Sequence, residues 1–415
     1  MKILLSAYAC ETNRGSEPGI GWNWTVEMAK LGHDVVTLTY PQDREGIDQA
    51  LEEDFDLPNL RIEYLDTPKW LTWFYSRTSK KIYVHYILWQ IMAYFRVKKM
   101  LKTEDFDFIQ HVTMGSIRVP SWLGFLKPPF IFGPVGGGEE APMTLVKNLP
   151  SKYFRKEYVR KLANRFNRIN PFLWIMLWKT DVILCKTSDS ARFFPKRFQK
   201  KCHVQMECGI HNETITDLVN IRESNYVDAP KFFYAGRLQY MKGLHLNIRV
   251  FARLLKDFPN AKYTMVGEGP DKEWLQSIAE AEGALDNIEF KGLVPQPVLF
   301  EMYRTYDLLL FLSLHDSSGN VVLESLAKGL PSIVLDLGGP KEIVDEECGL
   351  VVPTGGMSED EIVEKAYQML RDLMMDKERL NRMKIAGLEA ARRKQWHNVV
   401  GETVESLSEL TLAGQ

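Results

Sequence analysis

Between Leu308 and Leu314 the chain reads LLLFLSL, an apolar run broken only by Ser313. A run this short and this apolar fits a strand covered on both faces, which belongs in a parallel sheet. A small polar loop follows, Ser317-Ser318-Gly319-Asn320, and then a helix begins at Val321 and stops at Gly329 ahead of Pro331. A strand that enters a helix through a Gly/Ser loop leaves backbone N–H groups free at the helix start. The helix dipole there favours negative charge. Two acids, Asp316 and Glu324, flank this anion site. Carboxylates repel a bare phosphate but accept hydrogen bonds from hydroxyls. A ligand with both phosphate and hydroxyls, such as a sugar nucleotide, satisfies both groups. The same stretch also fits an ordinary strand–turn–helix unit with Glu324 solvated, so the rest of the chain must discriminate.

The strand–loop–helix pattern recurs and makes the fold class α/β. Lys2-ILLSAYAC reads as a strand, Glu11-TNRGSEPGIG as a polar loop holding Gly15, Gly19 and Gly21, Trp22 to Gly32 as a helix, and Asp34-VVTLTY as a second strand. The loop lacks the compact G-x-G-x-x-G spacing of a dinucleotide fingerprint. Its glycines either let backbone approach a phosphate or sugar, or mark a surface loop. Further strands are Phe106-DFIQHVT and Pro129-FIFGPVGGGE, which bring His111 and Gly136-Gly137-Gly138 to strand ends. Ligands of doubly wound sheets bind beyond the carboxyl ends of strands, so His111 either faces a ligand or packs. From residue 231 a second series begins: Lys231-FFYAGRL, Ala261-KYTMVGEGP and Asn287-IEFKGLV alternate with helical stretches, and Pro331-SIVLD and Gly349-LVVPTG close it. The expected architecture is two Rossmann-like domains facing across a cleft, 1–205 and 206–393. A C-terminal helix over 394–415 is expected to pack back on the first.

The net charge of −2 hides an asymmetry, because residues 1–205 carry 30 Lys and Arg against 21 Asp and Glu. The basic half is therefore the one expected to face an anionic partner. Two stretches concentrate the effect. Residues 67–103 hold eight Lys/Arg, nine Phe/Trp/Tyr and no acid, and residues 147–179 hold nine Lys/Arg opposed only by Glu157. Basic residues mixed with Trp and Tyr suit an anionic membrane surface. They also fit solvated amphipathic helices, and fit stacking on nucleic acid less well. Cys10, Cys185, Cys202, Cys208 and Cys348 form no CxxC pair and are odd in number, which argues against a disulfide framework and fits a reducing compartment. Met1 to Leu5 reads as a first strand rather than a secretion signal. No apolar run reaches the length of roughly 20 residues that spans a bilayer.

Arg237 closes a strand and Lys242 lies in the turn to the next helix, both suited to neutralising a diphosphate. Taken together, AGRLQYMKG, VGEGP, HDSSGNVVLESLAKGLP and LDLGGPKEIV resemble the C-terminal half of family-four retaining glycosyltransferases, which have the GT-B fold. The resemblance is strongest over 231–356 and extends, more weakly, over nearly the whole chain. It implies that Glu324 holds the ribose hydroxyls of a nucleotide and that Arg237 and Lys242 hold its diphosphate. It implies that Gly319, Asn320 and Val321 meet sugar and phosphate through their backbone. By the same resemblance His111 sits near the sugar O6, and Gly19 and Gly21 belong to a glycine loop beside the donor. The base would lie near Gly267, Glu268, Leu293 and Val294, and Gly236, beside Arg237, belongs to the same donor-binding set. The family places Glu where this chain has Asp316, a departure at the residue that contacts the transferred sugar.

The implied activity is transfer of a hexose from a nucleotide-diphosphate sugar, such as a UDP-sugar, to a glycan or lipid-linked acceptor. Cell-surface polysaccharide or lipopolysaccharide synthesis on the cytoplasmic side of the membrane is the expected setting. Fixed cations would stabilise the departing diphosphate, so no metal, cofactor or nucleic-acid partner is expected. The acidic pairs Asp54-Phe-Asp56 and Asp105-Phe-Asp107 resemble a metal-binding DxD, but the second begins a strand, the wrong end of a sheet for a ligand. A sugar-nucleotide epimerase and a non-catalytic sugar-nucleotide-binding membrane partner are the competing readings.

Overall fold

The computed structural model describes residues 1–12, 14–53, 55–75, 81–119, 121–221, 223 and 229–413. Asp54, residues 76–80 of the first basic stretch, and part of the polar segment near 205–230 lie outside the described residues. The chain divides into two compact units. The first comprises 1–138, 164–208 and 396–415, and the second 139–163 and 209–395.

The first unit holds seven parallel strands: β1 (Lys2–Ser6), β2 (Asp34–Thr39), β3 (Leu60–Tyr64), β4 (Phe108–His111), β5 (Phe130–Val135), β6 (Val182–Cys185) and β7 (Cys202–Val204). Their spatial order is β3-β2-β1-β4-β5-β6-β7. The second unit holds β8 (Lys231–Ala235), β9 (Lys262–Val266), β10 (Ile288–Gly292), β11 (Leu308–Phe311), β12 (Ser332–Leu335) and β13 (Gly349–Val352), in the order β10-β9-β8-β11-β12-β13. Each sheet therefore reverses direction beside its first strand, the arrangement of a doubly wound α/β domain. The apolar runs read from the sequence are these strands, and β4, β5, β6, β11 and β12 are buried along their whole length.

One device recurs in both sheets. An aspartate just before a strand accepts the first backbone N–H of its neighbour: Asp107 from Lys2 at 2.7 Å, Asp181 from Phe130 at 2.7 Å, and Asp307 from Lys231 at 2.8 Å. The Asp105-Phe-Asp107 pair thus has a structural use at the amino end of β4. Asp307 is fully buried. Asp307→Ala is expected to cost the second unit about 2 kcal/mol, because it removes the hydrogen bond between the Lys231 amide and a buried carboxylate. Urea unfolding checks this.

Two boundaries differ from those drawn on the sequence. The first helix runs Ser16–Lys30, so Gly19 and Gly21 are helical rather than part of a loop. Pro18 is tolerated there because a first helical turn needs no N–H from it. A Cβ on Gly19 would lie 1.9 Å from the Arg14 carbonyl oxygen, and one on Gly21 would lie 2.1 Å from that of Ala9. Both glycines are required by the chain's own backbone.

The second difference is 139–163, which groups with the second unit rather than the first. In the helix Ser151–Asn167, Tyr153 stacks on Tyr240 with ring centroids 4.3 Å apart, and its hydroxyl donates to Asp271. Glu157, the single acid of 147–179, is buried against Tyr240 and His315. The helix Trp396–Ala413 groups with the first unit, where His397 lies 3.7 Å from Glu27.

Candidate functional site

The carboxyl ends of β10, β9, β8, β11 and β12 emerge along one edge of the second sheet, and their loops interlock in the same order. Gly267 N–H donates to the Gly292 carbonyl at 2.8 Å, and a Cβ on Gly267 would meet the Gly236 carbonyl oxygen at 2.0 Å. The Met241 carbonyl accepts from the amides of Leu314 and His315 at 2.9 and 3.0 Å, tying the loop after β8 to the loop after β11. Gly339 N–H donates to the Asp316 carbonyl at 2.7 Å, which adds the loop after β12. Gly243 and Gly267 lie where one loop's carbonyl presses on the next.

Lys242 and Asp316 meet on this edge, Nζ to Oδ2 at 2.7 Å. The other carboxylate oxygen of Asp316 accepts from the amides of Ser318 and Gly319 at 3.2 and 2.8 Å. Asp316 thus caps the loop that enters the helix Asn320–Ala327. Two of the amides at this helix start are satisfied by the chain itself. The N–H groups of Asn320 and Val321 have no hydrogen-bond partner among the described residues, and neither does the buried side-chain oxygen of Asn320. Arg237 is exposed and its guanidinium is unpaired among the described residues.

Glu324 lies in that helix, largely buried, with the Tyr303 hydroxyl donating to Oε2 at 3.3 Å. Burial lifts its carboxyl from the ordinary 4.5 to about 7, with Tyr303 opposing only in part. A carboxyl poised near neutrality can accept or donate a hydrogen bond, a useful property beside a diol. Glu268 pairs with Lys272 at 3.0 Å, and Leu293, next along the rim, is exposed. Val294 is half-buried.

A cluster not anticipated from the sequence supports the β11 loop from behind. His315 Nε2 lies 2.8 Å from Glu157 Oε2, and the Tyr240 hydroxyl donates to Glu157 Oε1 at 2.8 Å. Arg160 Nε is 3.6 Å from the same carboxylate. Burial alone would push Glu157 up, but His315, Arg160 and Tyr240 outweigh it and hold the carboxyl below the usual range. Only its isolation among basic residues set Glu157 apart in the sequence.

In the first unit His111 ends β4 and is fully buried. The helix Lys81–Met100 covers it, with the Tyr86 hydroxyl 3.1 Å from Nε2 and Gln90 Nε2 at 3.5 Å from Nδ1. Burial lowers its pKa to about 4, so the ring is neutral. Of the two readings open in the sequence, this geometry is that of a packed, hydrogen-bonded histidine. A second buried ion pair, Lys186 with Glu207, was not foreseen. Burial disfavours the Lys186 charge, but Glu207 and Glu17 outweigh it and keep the pKa above the ordinary value.

Residues 220–389, which contain every strand of the second unit, match the family model for glycosyl transferases group 1. That segment is a group 1 glycosyl transferase domain. An uncharacterized glycosyltransferase of Methanocaldococcus jannaschii is 31% identical over 131 residues, 31% of this chain and 33% of the relative. The chain spans about a third of the length of the curated relatives it matches. Solved structures extend the likeness to both units. Sucrose-phosphate synthase from Thermosynechococcus elongatus aligns over 99% of each chain with a TM-score of 0.65 at 16% identity. The Anabaena protein Alr3699/HepE, solved in complex with UDP, aligns over 99% of this chain and 100% of its own with a TM-score of 0.60 at 14% identity. At such identities the likeness establishes the fold, and that fold is GT-B. Within the group 1 domain, Lys242, Asp316 and the start of the Asn320–Ala327 helix come together, with Glu324 one turn further into that helix. Gly236, Gly267 and Glu268 line the adjoining rim.

Proposed function

We propose that the protein is a retaining glycosyltransferase. It transfers a hexose from a nucleotide-diphosphate sugar to a hydroxyl of a glycan or lipid-linked acceptor, in cell-surface polysaccharide or lipopolysaccharide synthesis. The observation that carries this reading is the pairing of a fixed cation, Lys242, with the two unpartnered amides of Asn320 and Val321. Charge developing on a departing diphosphate would meet an ammonium and two N–H dipoles already in place, which is the form of stabilisation that usually dominates such reactions. Arg237 would add a bidentate partner. Glu324 would take the ribose hydroxyls.

Both oxygens of Asp316 are engaged by Lys242 and by loop amides. In our reading it therefore orients the cation and the loop rather than gripping the transferred sugar. The acceptor hydroxyl would attack from the face the diphosphate leaves, and a departing phosphate oxygen would take its proton. No side-chain nucleophile is assigned, and no metal or cofactor enters the scheme. None of the five cysteines forms a disulfide among the described residues, which supports a reaction on the cytoplasmic side.

Calorimetry with UDP, other nucleoside diphosphates and their sugars tests the donor site. Glu324→Gln is expected to weaken nucleotide binding about tenfold, the scale of one hydrogen bond to a charged group. Wild-type affinity in this variant would remove Glu324 from the site. The same variant carries a stability signature. A folded-state pKa raised above the unfolded value makes ionisation costly to the fold, so the wild type loses stability as pH rises from about 4.5 to about 7. Glu324→Gln should melt higher than wild type above pH 7 and equally near pH 4. Nucleotide release that depends on an added acceptor separates transfer from epimerisation.

A further inference from the structure

Many of the exposed large apolar side chains belong to the first unit. The helix Lys81–Met100 buries Tyr86, Trp89, Ala93 and Val97 on one side. On the other it exposes Val84, Ile87, Ile91 and Phe95, at spacings of three and four residues that align them in one stripe. Phe95 is 62% exposed. Trp122 and Phe125 stand beside the stripe, and with Ile91, Tyr94 and Phe95 they line a cavity of about 370 Å³ with no charged residue in its wall. The short helix containing them packs on the helix Pro171–Lys179, which exposes Phe172, Ile175 and Trp178. Near the other end, Lys81 Nζ sits 4.0 Å over the exposed ring of Trp73.

Monomeric proteins rarely leave so many large apolar side chains together in water. Basic side chains border them. Lys81 opens the long helix and exposed Lys98 and Lys99 close it, Lys179 closes the second helix, and Arg197 lies 5.1 Å from the Trp178 ring. No acid occurs in residues 81–103 or 164–180. Phe and Ile within a rim of Trp, Lys and Arg match the layers of a lipid leaflet, where aliphatic groups enter the acyl region, indole sits at the headgroups and cations meet phosphate.

We propose that this face docks the protein on an anionic phospholipid bilayer, with a lipid chain entering the cavity between Phe95 and Trp122. This narrows the basic stretches of the sequence to one surface. The helix Lys81–Met100 supplies its centre, whereas the first half of 147–179 turns Tyr153 and Glu157 inward. The inference does not rest on the glycosyltransferase reading.

The test is sedimentation of the full chain, without nucleotide, with vesicles of phosphatidylglycerol and phosphatidylcholine or of phosphatidylcholine alone. Binding is expected to the anionic vesicles and to weaken at high salt. Phe95→Ser with Trp178→Ser should lower partitioning at least tenfold while leaving the melting temperature and nucleotide binding unchanged. Lys98→Glu with Lys99→Glu should lower it by a similar factor on anionic vesicles only. Four results would overturn the proposal: no binding to anionic vesicles, equal binding to neutral ones, wild-type partitioning by both variants, or a dimer that the apolar variant dissociates.

Discussion

Lys242→Ala is expected to lower donor turnover by about 10²–10³-fold, the scale seen when one preorganised partner of a developing anion is removed. Two effects add. The first is loss of the cation itself. The second follows from Asp316, whose carboxylate lies 2.7 Å from Lys242 and is largely shielded from solvent. Without Lys242 that negative charge remains beside the amides proposed for the diphosphate and repels it. Asp316→Asn should therefore behave asymmetrically. Its amide oxygen can still accept from Ser318 and Gly319, so the loop keeps its cap. Added to Lys242→Ala, Asp316→Asn should restore part of the nucleotide affinity, whereas on its own it should lower turnover modestly. Calorimetry with a nucleoside diphosphate and steady-state release of nucleotide from its sugar measure the two effects separately. If Lys242→Ala keeps wild-type turnover, the diphosphate site is wrongly placed. If the double variant binds no better than Lys242→Ala alone, repulsion by Asp316 is not the cause.

The fold was legible because buried parallel strands are short apolar runs, and Leu308 to Phe311 or Phe130 to Val135 can hardly be anything else. The donor-side residues were legible for a related reason. Strand ends in this architecture share one edge, so Gly236, Lys242, Gly267, Asp316 and Gly319 could be placed near one another before any coordinates. What escaped was contact at long sequence separation. Nothing local marks Tyr303 as the partner of Glu324, or Glu157 as the partner of His315 across 158 positions. His111 is the opposite case. Its place at the end of a strand is readable, but nothing in the sequence says that Tyr86 and Gln90 of the helix Lys81–Met100 cover it. The sequence leaves Gly19 and Gly21 open as either a ligand approach or a surface loop, because it shows that a side chain is absent without showing what takes its place. Here it is the carbonyls of Arg14 and Ala9.

The same distinction yields a graded expectation for glycines of the second unit. Gly355 has neither a left-handed backbone nor any atom within 4 Å of where a Cβ would sit, so Gly355→Ala should leave stability unchanged. Gly283 has φ +67 with equally open space, so Gly283→Ala should cost only the conformational term, about 1 kcal/mol. Gly243 combines φ +62 with a Cβ position 1.8 Å from the Leu312 carbonyl oxygen. No side-chain rotation relieves a clash between two backbones, so the turn after β8 must move away from β11. That motion would break the hydrogen bonds of the Met241 carbonyl with Leu314 and His315 and draw Lys242 away from Asp316. Gly243→Ala is therefore expected to cost about 4 kcal/mol and to abolish nucleotide binding together with stability. Denaturant unfolding of the three variants should rank them 355, 283, 243. Wild-type stability in Gly243→Ala would mean that the two loops are not locked together, and with that the proposed origin of a rigid donor site would fall.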